Sequence, residues 1–245
     1  KNEKWSPETV IGYINTHPDL NFETEICFKT LYNYIHAGLF LNVRESDLKH
    51  YRKKKKKEGK LIALHNLRGT SIAQRPEEIR SRESFGHWEM DTVIGQRDKK
   101  NCLLVLSERK TRTEIIRKIK SKSQEAVKAA LDQIEKDLGA ETFRERFKTI
   151  TTDNGVEFLD AGKIENSIFE GKRTTSYYCH PYSSWERGTN ENINKMIRRW
   201  IPKGADITLY TDQQIAYIEH WINAFPRKIF NFRSSRDMLR AELQQ

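Results

Sequence analysis

Three acidic residues occupy positions from which carboxylates could act together, although they lie far apart along the chain. Asp91 lies in a strand-like run of apolar residues, an expensive environment for a charge unless something compensates it. Asp153 ends an alternating, β-branched run and precedes the turn pair Asn154 and Gly155. Glu191 falls in the first turn of a segment whose apolar residues recur at helical spacing. Carboxylates on two strands and one helix predict a site for divalent cations, which prefer oxygen ligands.

The chemistry that such a site supports is phosphoryl transfer. Two metal ions about 3.5–4 Å apart can activate an attacking oxygen and stabilise a leaving oxygen. Asp91 suits a ligand that bridges both ions, because a strand fixes its position, and Asp153 and Glu191 suit flanking positions. The chain contains 34 acidic residues, so three unrelated surface carboxylates remain the alternative on spacing alone.

The charge of the chain favours a polyanionic partner. Lys and Arg number 44 against 34 Asp and Glu, which gives a formal net charge of +10, and nucleic acid is the commonest polyanion. A basic surface without a partner is the alternative. Residues 52–57 are six consecutive cations, which form either an exposed arm that follows phosphates or a solvated spacer. The residues of this arm predicted to bind DNA are Arg52, Lys53, Lys54 and Lys55.

The cysteines and the hydropathy pattern exclude several classes of protein. Cys27, Cys102 and Cys179 are too few and too scattered for a disulfide framework or a zinc site, so we expect reduced thiols in a cytosolic protein. No apolar run approaches the ~18 residues of a membrane span, and no signal-peptide pattern opens the chain. The chain begins at Lys1 rather than Met, and we therefore expect its N-terminus to have been cut back.

Residues 5–41 have the pattern of a small helical module. Ser6 and Pro7 form a helix start signal, and a second helix is expected around residues 25–36, with Gly38 at its end. Two short helices joined by a turn resemble half of a helix-turn-helix unit, whose second helix could lie in a major groove. A helical packing module without DNA contact is the alternative.

From residue 85 the pattern alternates between strands and helices. We expect strands at 86–95, 102–106, 113–119, 147–152 and 176–179, and helices from Ser123 to Gly139, from about Thr189, and near 212–224 and 234–243. This order predicts an α/β fold with a mixed sheet. It matches a ribonuclease-H-like sheet flanked by helices, preceded by the small all-helical, helix-turn-helix-like segment.

Three motifs resemble the catalytic-core signatures of bacterial DDE transposases, and in particular those of the insertion sequence thirty family. They are W-E-M-D-T-V at 88–93, T-D-N-G-V-E-F at 152–158 and H-P-Y-S-S-W-E-R-G-T-N-E-N at 180–192. The resemblance extends to W-S-P-E-T-V at 5–10, I-P-K-G-A-D at 201–206 and P-R-K at 226–228. It therefore covers nearly the whole chain.

The resemblance implies catalytic, metal-binding roles for Asp91, Asp153 and Glu191, which match the D, D and E of the family. Between Asp153 and Glu191 lie 37 residues, more than is usual for the family, and we place the extra residues in 160–172. Glu186 is a rival third ligand. The N-E-N motif and the helical register favour Glu191.

Helical register also places cations beside Glu191. The face of the helix that carries Glu191 lies opposite an apolar side and also carries Asn194, Lys195 and Arg198. The two cations, Lys195 and Arg198, could hold DNA phosphates. A simple exposed Glu–Lys pair is the alternative. His180 and Arg187 are expected to contact the scissile strand or the leaving group, although His180 could simply end a strand. The DNA-binding residues predicted in this region are His180, Arg187, Lys195, Arg198 and Arg199.

The resemblance implies a DNA transposase that uses two Mg²⁺ ions, with Mn²⁺ as a substitute, to cut element ends and join the freed 3′ hydroxyl to target DNA. The implied partners are double-stranded DNA, as terminal inverted repeats and target, and at least one further copy of the chain. We expect a bacterial, cytoplasmic, nucleoid-associated protein with no membrane contact and a further helix-turn-helix region upstream. The predicted divisions are a DNA-binding segment at 1–48, a basic linker at 49–84 and a catalytic domain with C-terminal helices at 85–245. A ribonuclease-H-like nuclease that cuts without joining, and a DNA-binding regulator without chemistry, remain alternatives.

Overall fold

The computed structural model describes residues 4–20, 22–48, 69–180, 183, 186 and 188–244. The chain divides into two compact units. The smaller unit comprises residues 1–62 and 225–238, and the larger comprises residues 63–224 and 239–245.

The smaller unit contains two short helices, α1 (Pro7–Asn15) and α2 (Phe28–His36). The predicted start of α1 is confirmed, because the Ser6 hydroxyl accepts a hydrogen bond from the Thr9 N–H at 3.2 Å and proline occupies the first helical position. Residues 225–238 belong to the same unit, and a Cβ on Gly12 would come within 2.0 Å of the Phe232 ring. Helix α2 begins at Phe28, three residues later than the predicted start, because Cys27 is still extended. The helix-turn-helix interpretation stays a prediction.

The larger unit is built on a five-stranded mixed sheet, as predicted. Its strands are β1 (His87–Ile94), β2 (Cys102–Glu108), β3 (Glu114–Ile119), β4 (Thr149–Thr152) and β5 (Thr175–Tyr178). They lie in the order β3-β2-β1-β4-β5. The β1–β2 and β2–β3 pairs are antiparallel, whereas β1–β4 and β4–β5 are parallel. This arrangement is consistent with a ribonuclease-H-like fold and places β1 in the centre.

Helices flank this sheet: α3 (Gln124–Leu138), α4 (Ala140–Arg146), α5 (Ala161–Glu165), α6 (Gly188–Ile197) and α7 (Asp212–Ala224), with α8 (Ser235–Leu243) near the end of the chain. Alternation along β1 sends Trp88 and Met90 into a buried cluster with Leu131 of α3 and Phe143 of α4. The opposite face of β1 packs against α6. The sheet therefore lies between α3 and α4 on one face and α6 on the other.

Helix α7 covers the exposed edge of β3. The Glu219 carboxylate accepts a hydrogen bond from the Ile116 N–H at 2.6 Å, and the Asn223 amide bonds both the N–H and the C=O of Glu114, each at 2.8 Å. These side chains satisfy backbone groups that an uncovered edge strand would offer to another chain. Burial raises the pKa of Glu219, against the opposing effect of its hydrogen bonds.

Helices α4 and α5 are absent from the sequence prediction, because seven and five residues are too few for a clear helical period. Residues 69–84, which fall within the predicted linker, include Ser71, which forms a parallel bridge to Tyr178, and the buried Ile72 and Ile79. The first part of the predicted linker, residues 49–68, lies outside the described residues.

The cysteines and the helix lengths can be compared with the classes that the sequence excluded, namely disulfide-bonded and membrane-spanning proteins. All three cysteines are free, Cys102 and Cys179 are buried, and Cys27 is exposed. Burial raises the pKa of the Cys102 thiol to about 11. Across residues 4–20, 22–48, 69–180 and 188–244, no helix combines the length and the apolar character that a membrane crossing needs.

Candidate active site

The parallel pairing of β1 with β4 brings Asp91 and Asp153 to neighbouring positions. Glu89 of β1 is paired with Thr151 of β4 in this ladder. Asp91 lies two residues after Glu89, and Asp153 lies two residues after Thr151. Alternate residues of a strand point to the same side, so Asp91 projects on the same face as Glu89. Asp91 within β1 and Asp153 directly after β4 therefore lie on neighbouring parallel strands, near the carboxyl end of β4. Such strand ends commonly bind ligands in α/β folds.

Asp91 is partly buried and is held by two hydrogen bonds. The Thr92 backbone N–H donates to Oδ1 at 2.9 Å, and the Asn194 side-chain amide donates to Oδ2 at 3.0 Å. The second bond crosses from α6 to β1. Charge-assisted bonds of this kind compensate part of the cost of placing a carboxylate among apolar neighbours.

The turn after β4 fixes Asp153. The Gly155 N–H donates to Asp153 Oδ1 at 2.9 Å, and the Asn154 amide donates to the Cys179 carbonyl at 2.8 Å, which attaches the turn to the end of β5. Gly155 has φ −60° and ψ 145°, a conformation that any residue adopts. A Cβ there, however, would lie 2.6 Å from Glu157 Oε2 and 2.9 Å from Asp153 Oδ1. Glycine is needed here for space and not for backbone freedom.

Glu191 lies in the first turn of α6, one turn before Asn194. Its side chain is 60% exposed and forms an ion pair with Lys195 at 3.2 Å. Such exposed pairs contribute about 0–1 kcal/mol. The carboxylate is therefore not tightly committed to Lys195, and the Asn194–Asp91 bond holds this part of α6 against β1.

Glu89 attaches the start of α6 to the sheet. Its carboxylate is fully buried and accepts hydrogen bonds from the Thr189 hydroxyl at 3.2 Å and the Asn190 N–H at 3.4 Å. The Arg109 guanidinium lies 3.4 Å away as its counterion, and Arg112 also donates to Thr189. Burial lowers the pKa of Arg109 to about 10, which leaves it charged at neutral pH. A carboxylate at a helix N-terminus also interacts favourably with the helix dipole.

Glu157 is a further carboxylate beside Asp153. It is 2% exposed, and its Oε1 accepts a hydrogen bond from the Thr92 hydroxyl at 2.7 Å and pairs with Lys122 at 3.2 Å. Its Oε2 is buried and has no hydrogen-bond partner in the described part of the chain. Sequence reasoning gave no role to Glu89 or Glu157, although both stand in the motifs quoted above. Their signals were the two-residue spacing of Glu89 from Asp91 and the four-residue spacing of Glu157 from Asp153.

The rival third acid, Glu186, is engaged by His180. His180 Nδ1 lies 2.7 Å from Glu186 Oε1, and the His180 N–H donates to Oε2 at 2.9 Å. Both oxygens of Glu186 therefore have a partner from the same residue.

The predicted DNA-binding residues differ in their surroundings. Lys195 is half exposed, whereas the Arg198 guanidinium donates to the carbonyls of Ile94 at 2.7 Å and Pro202 at 3.4 Å. The Arg199 guanidinium lies 5.8 Å from the centre of the Trp221 ring. The remaining residues of this prediction lie outside the described residues: Arg52, Lys53, Lys54, Lys55 and Arg187.

The site contains carboxylate oxygens, which hard cations prefer as ligands. These oxygens do not by themselves surround a metal position. Among the described residues, no three His, Cys, Asp or Glu side chains are close enough together to hold a metal ion. Mg²⁺ is usually bound through one or two carboxylates together with water and substrate phosphates. Asp91 and Asp153 on neighbouring strands, with the unpartnered buried oxygen of Glu157 beside them, supply that chemistry. The residues present fit a Mg²⁺-type cation.

Comparison with known proteins points to one group of relatives, while no family model matches the chain. The chain is 37% identical over 211 residues, 86% of its length, to a probable transposase for the insertion-like sequence element IS1161 of Streptococcus salivarius. It is 33% identical over 245 residues, 96% of its length, to the transposase InsI for IS30A of Escherichia coli. It is 31% identical over 252 residues, 97% of its length, to the transposase for IS1086 of Cupriavidus metallidurans. The chain spans 57%, 61% and 69% of these relatives, respectively.

Proposed function

Because this chain belongs to the IS30 family of insertion-sequence transposases, we propose that it cuts DNA at the ends of an insertion sequence and joins the freed 3′ hydroxyls to target DNA. The observation that supports this activity most directly is the position of Asp91 and Asp153 on adjacent parallel strands, with α6 bonded to Asp91 through Asn194. Two fixed carboxylates and a third on a docked helix suit phosphodiester chemistry at one point.

In this proposal Asp91, Asp153 and Glu191 hold two Mg²⁺ ions, for which Mn²⁺ can substitute. When bound, such ions activate the attacking oxygen and stabilise the leaving oxygen of an in-line displacement. Glu191 is the favoured third ligand, because it lies on α6 one turn before Asn194, whose bond to Asp91 holds this part of the helix against β1. Glu186 would first have to give up two contacts with His180.

The neighbouring side chains position these acids and the substrate. Asn194 orients one oxygen of Asp91, and Glu89 fixes the first turn of α6. Lys195, half exposed beside Glu191, is placed to bind a phosphate of the DNA strand. These residues hold the reacting groups in a fixed geometry, which is the main requirement where the protein forms no covalent intermediate.

The partner we propose is double-stranded DNA, as terminal inverted repeats and as target. The net charge of +10 favours this partner. We assign recognition of the repeats to the helical segment at residues 1–48, and we infer at least a dimer, since two element ends must be cut and joined together.

Oligonucleotides that carry an element end test this function. With Mg²⁺, the 245-residue chain should release a 3′ hydroxyl and join it to a second duplex. Asp91→Asn, Asp153→Asn and Glu191→Gln should each reduce both steps below detection and keep end binding within about threefold. Glu141→Gln, an exposed acid on α4, is the matched control and should retain full activity.

Each other outcome has a defined meaning. Full activity in one of the three acid variants removes that residue from the catalytic set. Cutting without joining by the unchanged protein identifies a nuclease. End binding without metal-dependent cleavage identifies a regulator that lacks the chemistry.

A further inference from the structure

A buried carboxylate oxygen next to Asp153 lacks a hydrogen-bond partner within the described residues. Glu157 is 2% exposed, and only its Oε1 is engaged, by the Thr92 hydroxyl and by Lys122. Oε2 is shielded from solvent without a donor. A buried anionic oxygen without a partner is costly, and in a native structure it calls for an explanation such as a bound ion.

The direction of this oxygen follows from the space around Gly155. The position of a Cβ on Gly155 lies 2.6 Å from Glu157 Oε2 and 2.9 Å from Asp153 Oδ1. The two oxygens therefore approach the same point from residues four apart. A divalent cation between or beside two such oxygens would interact favourably with both.

Lys122 contacts Glu157 at Oε1 and not at Oε2, the oxygen beside Asp153. Its ammonium lies 3.2 Å from Oε1, on the side of the carboxylate that also faces Thr92, and its side chain is 38% exposed. Thr92 instead connects Glu157 to the other strand acid, because its backbone N–H donates to Asp91 while its hydroxyl donates to Glu157. Thr92 thereby joins Glu157 to the segment of β1 that carries Asp91.

From these contacts we propose that Glu157 is a further carboxylate of the cation site, binding through Oε2 a divalent cation held by Asp153. This inference rests on the proposed function, because it assumes that Asp153 binds a cation. It assigns Gly155 a specific task, which is to leave room for two ligand oxygens. It also gives the site an additional negative charge next to Asp153.

The test measures cation binding and stability separately, without DNA. Mn²⁺ binding to the chain is followed by electron paramagnetic resonance of the free ion, and thermal unfolding is recorded with and without Mn²⁺. Glu157→Gln keeps an oxygen acceptor for Thr92 and removes the charge. We expect the Kd for Mn²⁺ to rise about tenfold or more, while the Tm without metal stays the same or rises, because the unpaired anionic oxygen is gone.

Three further variants keep the test decisive. Gly155→Ala leaves Glu157 in place and has an allowed backbone, but its Cβ would displace both oxygens, so it should weaken Mn²⁺ binding as well. Gly188→Ala, where nothing lies within 4 Å of an added Cβ, should leave Mn²⁺ binding unchanged. Glu135→Gln removes a buried carboxylate bonded to Ser167, Ile168 and Arg173. It should lower the Tm and leave the Kd for Mn²⁺ unchanged.

The opposite pattern overturns the inference. If Glu157→Gln lowers the Tm and leaves the Kd for Mn²⁺ unchanged, Glu157 is only a structural partner of Thr92 and Lys122. Asp91→Asn separates this failure from that of the proposed function. Loss of Mn²⁺ binding in Asp91→Asn but not in Glu157→Gln rejects the role of Glu157 alone. Absence of Mn²⁺ and Mg²⁺ binding by the unchanged chain at millimolar concentration rejects both.

Discussion

The side-chain amide of Asn194 donates a hydrogen bond to Asp91 across 3.0 Å, from helix α6 to strand β1. The two residues are 103 positions apart in the chain. This bond orients one oxygen of Asp91 and holds the turn of α6 that carries Glu191. It makes Asn194 a positioning residue for two of the three proposed ligands.

Replacing Asn194 should impair both catalysis and stability. A hydrogen bond to a metal-ligand carboxylate typically affects activity or metal affinity by about 10–100-fold, so we expect Asn194→Ala to slow strand transfer by that factor. One lost bond of this kind costs about 1–3 kcal/mol of stability. Asn192→Ala, an exposed neighbour on the same helix, is the control. The measurement is the initial rate of joining at saturating DNA, and a wild-type rate in Asn194→Ala would contradict the assignment.

Removal of Glu89 should destabilise the fold strongly. Glu89→Ala leaves Arg109 buried without its counterion and removes the acceptor for Thr189 and Asn190. Breaking a buried pair from one side costs about 3–5 kcal/mol in the free energy of unfolding, which urea titration measures.

Two companion variants isolate this effect. Glu83→Ala replaces an exposed acid in the segment that precedes β1. It should change the free energy of unfolding by less than about 0.5 kcal/mol. Glu89→Met combined with Arg109→Met should be more stable than Glu89→Ala, because no unpaired charge remains. A cost below about 1 kcal/mol for Glu89→Ala would show that the pair does not anchor α6.

Lys195 and Arg198 should differ in how they affect DNA binding. Lys195 is exposed, so Lys195→Ala should weaken binding and reduce the slope of log K against log salt by about 1. Arg198 is bonded to the carbonyls of Ile94 and Pro202, so Arg198→Ala should change the slope less and lower the free energy of unfolding more. Fluorescence anisotropy over a salt series measures the slope. Equal slope changes would show that Arg198 binds phosphate as Lys195 does.

His87 should make stability depend on pH. Burial, followed by the nearby charges of Lys148 and Arg109, lowers the pKa of His87 to about 4 in the folded protein. In the unfolded chain a histidine titrates near 6.5, so the unfolded state binds more protons between about pH 6.5 and 4 and stability is lost as the pH falls through this window. The loss attributable to His87 is about 3 kcal/mol at most.

The His87→Gln variant isolates that contribution. Gln at position 87 can still bond the Thr149 hydroxyl, which lies 2.8 Å from His87 Nδ1, but it cannot be protonated. Urea unfolding at pH 7.5, 6 and 5 should therefore show a smaller loss for the variant than for the unchanged protein. Equal losses would mean that the carboxylates alone determine the acid sensitivity.

Sequence patterns predicted the elements of the sheet because each depends on local alternation. The runs before Asp153 and around Asp91 became β4 and β1, and Ser123 caps α3 as its position indicated. The burial of Glu157 was not predictable in this way, since it depends on Thr92 and Lys122, which are distant in sequence. The same holds for Glu89, whose partner Asn190 lies 101 positions away. Gly155 was recognised as a turn glycine, but only the coordinates reveal that two carboxylate oxygens occupy the place of its side chain.

Because β1 lies in the centre of the sheet, the candidate site depends on when β1 pairs with β4 during folding. Residues at the start of the β1–β4 ladder, such as His87 and Thr149, are 62 positions apart, and parallel pairing requires the whole intervening crossover to be in place. Contacts of such long range form late, because the chain must first lose much of its freedom. The proposed cation site depends on this pairing, and we therefore expect it to be complete only once β1 and β4 have joined.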